Sequence, residues 1–167
     1  MRSSPSSTDG IQMKIGNWSP LEPAVIAAMI DMGGNFSGVK SHLDLGSGDG
    51  RVIGAALAIG LASAGIEIEA ALANPCIARG LDVTLGDLFD LPLGGYDLYT
   101  AWFSDSVGTP LLLDKIYSEM KKNKYLVLLY DSFKSHRNLP GEGIPIHAWR
   151  PEVSGSVLGN TYHLYKR

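Results

Sequence analysis

His42-Leu43-Asp44-Leu45-Gly46-Ser47-Gly48-Asp49-Gly50-Arg51-Val52-Ile53 is the stretch on which the fold turns. A short apolar run ends in three glycines spaced two apart, and helical spacing rich in alanine follows over residues 51–61, which reads as strand, glycine loop, helix. Glycines in such a loop let backbone come close to a ligand, and the helix N-terminus adds oriented N–H groups, so a nucleotide-like molecule suits it. A dinucleotide fingerprint would need a small residue at position 51 or 53, where Arg51 and Ile53 stand. No G-x-x-x-x-G-K-[ST] occurs, which excludes the phosphate loop of nucleoside triphosphatases.

Outward from this unit the chain alternates strands and helices. Ser19-Pro20-Leu21-Glu22 predicts a helix from Pro20, with Leu21, Val25, Ile26, Met29, Ile30 and Met32 on its apolar face and Gly33-Gly34 as its left-handed stop. Further strands are expected at 64–69, 81–86, 96–103 and 124–130. A short helix over 70–79 should be interrupted by Pro75, and one from Pro110, capped by Thr109, should close on Lys121, Lys122 and Lys124. Leu91-Pro92-Leu93-Gly94-Gly95 leaves little room for a helix before the fourth strand. Residues 124–130 are nearly all apolar, as in a strand buried on both faces. The end of the chain reads as a β-hairpin of 145–149 with 161–166. The expected fold is α/β: a Rossmann-like, doubly wound, mostly parallel sheet with a C-terminal antiparallel hairpin.

Composition agrees with one such domain. The 167 residues are 45% hydrophobic and 19% charged, with 14 basic against 17 acidic side chains, so neither disorder nor polyanion binding is indicated. One cysteine, Cys76, excludes an internal disulfide framework, and His42, His136, His147 and His163 show no zinc spacing. Residues 1–16 read as a flexible, serine-rich tail without the apolar core of a secretory signal, and 17–167 as the domain. Residues 52–66 are too short and glycine-broken to span a membrane. A cytoplasmic protein is expected.

The run from Leu43 to Arg51 resembles motif I of the class I, seven-strand, S-adenosyl-L-methionine-dependent methyltransferases. The resemblance continues: Glu67 in Gly65-Ile66-Glu67-Ile68 stands where that family holds the ribose hydroxyls, and Asp87 in Gly86-Asp87-Leu88 where it faces the adenine amine. With Trp18-Ser19-Pro20-Leu21-Glu22-Pro23 ahead of the first helix, the order of parts looks most like the small archaeal protein-lysine methyltransferases. It implies S-adenosyl-L-methionine as cofactor, S-adenosyl-L-homocysteine as product, and a cofactor site of Trp18, Asp44, Gly46, Ser47, Gly48, Gly50, Glu67, Ile68, Asp87 and Leu88. Slightly different register would put Glu69 on the ribose instead. Asp44 either bonds loop N–H groups or meets the ligand directly, and Asp49 and Arg51 either contact it or flank the first helical turn.

A sulfonium is already an activated methyl donor, so such an enzyme chiefly aligns the nucleophile and excludes water, and no dedicated base is needed. An amine acceptor must arrive neutral, which aromatic walls favour by desolvation; Trp102, Phe103 and Trp18 are candidates, and Asp105 could steer or deprotonate the amine. The resemblance implies exposed protein lysines as acceptors, with a small molecule as the alternative and a nucleic acid disfavoured by the acidic balance. A binding module without transferase activity is the reading of another class, motivated by the short, proline-broken segment after the second strand and by Trp102-Phe103-Ser104-Asp105-Ser106 after the fourth. Asn74-Pro75-Cys76-Ile77 superficially matches an amide and adenine methyltransferase signature but lies after the second strand, where that signature does not belong.

Overall fold

The structure is a computed structural model that describes residues 21–102, 109–131, 151–158 and 160–167. Trp18, Phe103, Asp105, His136, the tail 1–16 and the expected strand 145–149 lie outside them. The elements are α1 (Pro23–Gly34), β1 (Ser41–Leu45), α2 (Arg51–Ala58), β2 (Ala62–Glu67), α3 (Ala70–Ala78), β3 (Val83–Leu85), β4 (Leu98–Trp102), α4 (Thr109–Glu119), β5 (Tyr125–Asp131), β6 (Pro151–Val157) and β7 (Asn160–Lys166).

Seven strands form one sheet in the order β3-β2-β1-β4-β5-β7-β6. β3 through β5 pair in parallel, and β7 lies antiparallel to both β5 and β6. This is the Rossmann-like, doubly wound arrangement with its C-terminal hairpin. Strand order reverses between β1 and β4, and ligands of open α/β sheets bind beyond the C-terminal strand ends at such a point.

Alternation along the strands separates two cores. Leu43 and Leu45, Tyr99 and Ala101, and Leu126 and Leu128 face α4 through Leu112, Leu113, Ile116 and Met120. Leu98, Val127 and Leu129 face α1 and α2 through Val25, Met29, Val52 and Ala56, and α3 packs Ala73 and Cys76 against Ile53 and Val83. On that second face β1 presents His42 and Asp44, both buried.

Several boundaries correct the expectations. α1 begins at Pro23, with Glu22 extended at φ −64° and ψ 141°, because a residue before proline is driven out of the helical region. Gly33 and Gly34 lie inside α1 and are not its stop. A Cβ at Gly33 would stand 2.5 Å from Leu98 Cδ1 and one at Gly34 2.5 Å from Ile59 Cδ1, so these glycines serve close packing. α2 ends at Ala58 with Gly60 at φ 88°, where Leu61 N–H donates to Ala56 O and Gly60 N–H to Leu57 O, a Schellman ending.

α3 runs through Pro75 uninterrupted, held by the burial of Ala73 and Cys76; a proline costs the helix a hydrogen bond, and packing outweighs it here. α4 already includes Thr109 and ends before the lysines; Lys124 instead pairs with Asp97 Oδ1 at 2.5 Å. The hairpin partner of β7 is β6, later than expected: Ser154 and Gly155 are strand residues, and the chain turns after Val157, where Leu158 adopts φ 49° as primed hairpin turns require. Gly155 there lies under the ring of Tyr162, whose atoms would stand 2.5–2.6 Å from an added Cβ.

Candidate functional site

The loop from β1 to α2 lies at the switch point and is folded against the end of β2. Ile66 O accepts from Gly46 N–H at 3.0 Å and Ser47 N–H at 2.9 Å, and Ser47 O accepts from Gly50 N–H at 2.9 Å. Gly46, Gly48 and Gly50 adopt φ of 81°, 53° and 79°, which side chains resist. At Gly46 the space a Cβ would occupy is open. Ser47 is buried, and its hydroxyl has no hydrogen-bond partner among the described residues.

Glu67, the last residue of β2, ties the loop down. Its Oε2 accepts from Gly48 N–H at 2.7 Å and its Oε1 from Glu69 N–H at 2.9 Å, and the side chain is buried. Glu69 is half-buried at the N-cap of α3, and Ile68 between them is 60% exposed. Asp87 follows β3, where its Oδ1 accepts from Phe89 N–H at 2.8 Å and shapes the turn, while Leu88 packs on the α4-side core. Leu85 and Phe89 leave apolar surface exposed beside these strand ends.

Asp44 is 4% exposed and faces α1 and α2. Its bonding partner is Thr100 on β4, directly opposite in register, whose hydroxyl donates to Asp44 Oδ1 at 2.7 Å; of the two readings held open for it, bonding to loop N–H groups is not what the geometry gives. Burial raises the Asp44 carboxyl to about 7, against the Thr100 hydrogen bond and with added repulsion from Glu67 and Asp49. Asp49 and Arg51 pair with each other, Oδ2 to Nε at 2.6 Å, and Arg51 Nη1 donates to Leu21 O at 3.3 Å, joining the entry of α1 to the loop. Arg79 of the α3 C-cap donates to Asp49 O, and Cys76 Sγ lies 3.5 Å from Gly48 O, so the loop is braced from α3 as well.

Trp102 closes β4 at its C-terminal end. It packs on the core shared with α1, and its indole N–H is buried without a partner among the described residues. Sequence reasoning missed four residues beneath this site. Gly65, opposite Asp44 in β2, would bring a Cβ within 2.6 Å of Ser47 Cβ; an isolated glycine in a strand was the available signal. Ser63, His42 and Thr100 form a hydrogen-bonded row across the sheet, and only alternation on strands of known register brings them together.

The fold is that of the class I S-adenosyl-L-methionine-dependent methyltransferases. It is similar to an RNA methyltransferase from Salinibacter ruber in complex with S-adenosyl-L-homocysteine, at TM-score 0.69 and 22% identity over 89% of this chain and 93% of that one. It is similar to a ribosomal protein L11 methylase from Lactobacillus delbrueckii subsp. bulgaricus, at TM-score 0.68 and 14% identity over 90% and 80%. A SAM-dependent methyltransferase from Archaeoglobus fulgidus matches at TM-score 0.55 and 25% identity over 65% of this chain and 52% of its own. Residues 24–101, less than half of the chain, match the family described as MetW, methionine biosynthesis protein MetW. No curated protein matches the chain significantly. Among the described residues no helix is long and apolar enough to cross a membrane.

Proposed function

We propose that this chain is an S-adenosyl-L-methionine-dependent methyltransferase whose acceptors are protein lysine side chains. The observation that carries the methyltransferase reading is the cradle at the switch point: a left-handed glycine loop with open space at Gly46, lashed to Glu67 at the end of β2. Ser47 Oγ, buried and unpartnered among the described residues, adds a polar group suited to a ligand. In this reading residues 46–50 bring backbone against the methionyl part, Glu67 holds the ribose, Ile68 and Leu88 flank the adenine and Asp87 takes its amine. Asp44 supplies negative charge beneath the loop, and Trp18 belongs to the cofactor side. The bound cofactor supplies an activated methyl group on a sulfonium.

The chain's own work is then alignment and exclusion of water. In this reading Trp102 at the end of β4, with Phe103 next in sequence, serves as the aromatic wall that favours a neutral amine, and Asp105 receives or steers its proton. Protein lysine as acceptor rests on the resemblance of the motif order to the small archaeal lysine methyltransferases. The match of residues 24–101 to a family described by methionine biosynthesis favours a second reading, a small-molecule acceptor. Incubating the chain with methyl-labelled S-adenosyl-L-methionine and a cell lysate separates them. Labelled protein bands with methyl-lysine by mass spectrometry support the first reading; label only in the small-molecule fraction supports the second; cofactor binding with no labelled product leaves a binding module and refutes both.

A further inference from the structure

The row of polar groups on the α1-facing side of the sheet takes its proton direction from the charge on Asp44. His42 and Thr100 are fully buried, and Ser63 and Asp44 nearly so. Ser63 Oγ lies 2.7 Å from His42 Nδ1, His42 Nε2 lies 2.8 Å from Thr100 Oγ1, and Thr100 Oγ1 lies 2.7 Å from Asp44 Oδ1. An ionised carboxylate only accepts, so the single Thr100 proton points to Asp44. Thr100 Oγ1 must then accept from His42 Nε2–H, and the bare Nδ1 accepts from the Ser63 hydroxyl. With Asp44 ionised every group is satisfied by one tautomer and all three donors point toward Asp44; with Asp44 protonated the row runs in reverse through the other tautomer.

We propose that Ser63, His42 and Thr100 are positioning residues for cofactor binding: a proton-ordered chain that holds Asp44 ionised and oriented beneath the glycine loop for the positively charged end of the cofactor. This rests on the methyltransferase reading above. Aligned hydrogen bonds in a low-dielectric setting strengthen one another, which is why the row reaches beyond the one residue touching Asp44. Burial pulls His42 down to about 4, so it stays neutral near neutral pH. The ionisable groups around Asp44 are Glu67 from β2 and Asp49 from the loop, which both oppose its charge, and His42 on its own strand; Arg51 at the start of α2 is paired with Asp49, and β4 faces it with Thr100. The chain therefore acts against burial and two neighbouring carboxylates.

The test is calorimetric titration of the full chain with S-adenosyl-L-homocysteine from acid to alkaline pH, in the parent and in Thr100→Val, Ser63→Ala and the rescuing Thr100→Ser. Titration of the ligand itself is common to all and cancels. With Asp44 at about 7 in the parent, its contribution to affinity falls as pH drops, with its midpoint at that value, and the variants are read as ratios to the parent at each pH. Thr100→Val should move this midpoint upward; a shift of about one unit weakens binding about fivefold at pH 7 while leaving it unchanged at high pH. Ser63→Ala should move it less in the same direction, and Thr100→Ser should restore it. A loss of affinity equal at all pH values, or an unmoved midpoint in folded Thr100→Val and Ser63→Ala, overturns the proposal alone. Should Thr100→Val not fold, Ser63→Ala decides it. A folded parent that binds no S-adenosyl-L-homocysteine at any pH overturns the cofactor reading itself and the role of the chain with it.

Discussion

Gly65→Ala is the substitution that most sharply tests how the glycine loop is seated. A Cβ there would stand 2.6 Å from Ser47 Cβ, 2.8 Å from Ser47 Oγ and 2.6 Å from Ile53 Cδ1. The Ile53 methyl is the end of a flexible side chain and can turn away. Ser47 Cβ is fixed to the loop backbone and cannot. Ordinary contact begins at 3.4 Å, so the loop must retreat by about 0.8 Å from β2. A retreat of that size would stretch the 2.7 Å bond from Gly48 N–H to Glu67 toward the limit of a hydrogen bond. Overpacking of this kind costs about 1 to 3 kcal/mol, and loss of a bond to a buried carboxylate adds about 1.5 to 3 kcal/mol. Urea denaturation should report a destabilisation of about 2.5 to 6 kcal/mol, and titration with S-adenosyl-L-homocysteine should show at least about tenfold weaker binding. Stability within about 0.5 kcal/mol of the parent, together with unchanged affinity, would refute the claim that close approach of loop and strand builds this site.

Other expectations follow from single groups. Glu67→Gln leaves one oxygen for two backbone donors, Gly48 N–H at 2.7 Å and Glu69 N–H at 2.9 Å, so its amide NH₂ must face one of them. Stability should fall by about 1.5 to 3 kcal/mol by chemical denaturation, with cofactor binding reduced further. At the opposite end of the strands, burial disfavours the Asp97 carboxylate, but Lys124, the Lys40 N–H and both Ser41 donors outweigh it and hold the group at about 2 against 3.8. Its ionised form thus stabilises the fold above pH 3.8, and that contribution fades as pH falls toward 2. With the side chain only 17% exposed, Asp97→Asn should cost about 2 kcal/mol at neutral pH, and the difference from the parent should vanish near pH 2 in acid denaturation curves.

Much of this arrangement was legible because it is written in local chemistry. The glycine spacing after Leu45, the apolar run 125–129 and the acidic residues at strand ends each encode a backbone demand or a burial, so the parallel sheet and the loop could be read directly. Glu67 ends β2, and its carboxylate reaches the loop. The errors arose where packing overrides a local signal. Gly33-Gly34 reads as a helix stop, yet it lets α1 approach Leu98 and Ile59. Pro75 reads as a break, yet α3 is held through it by the burial of Ala73 and Cys76. Lys124 reads as compensation for a helix dipole, yet its partner is Asp97, just ahead of the neighbouring strand β4. The row from Ser63 to Asp44 was invisible for a different reason: its members lie on three strands, far apart in sequence, and only the register brings them into line.

The central claim is that the switch-point cradle takes S-adenosyl-L-methionine. Calorimetric titration of the full chain with that compound, alongside Gly48→Val in which a branched side chain would stand at a φ of 53° in the loop, tests it most directly. The account predicts saturable one-to-one binding by the parent and none by a folded Gly48→Val. A folded parent that gives no saturable binding, or equal binding by both proteins, would contradict it.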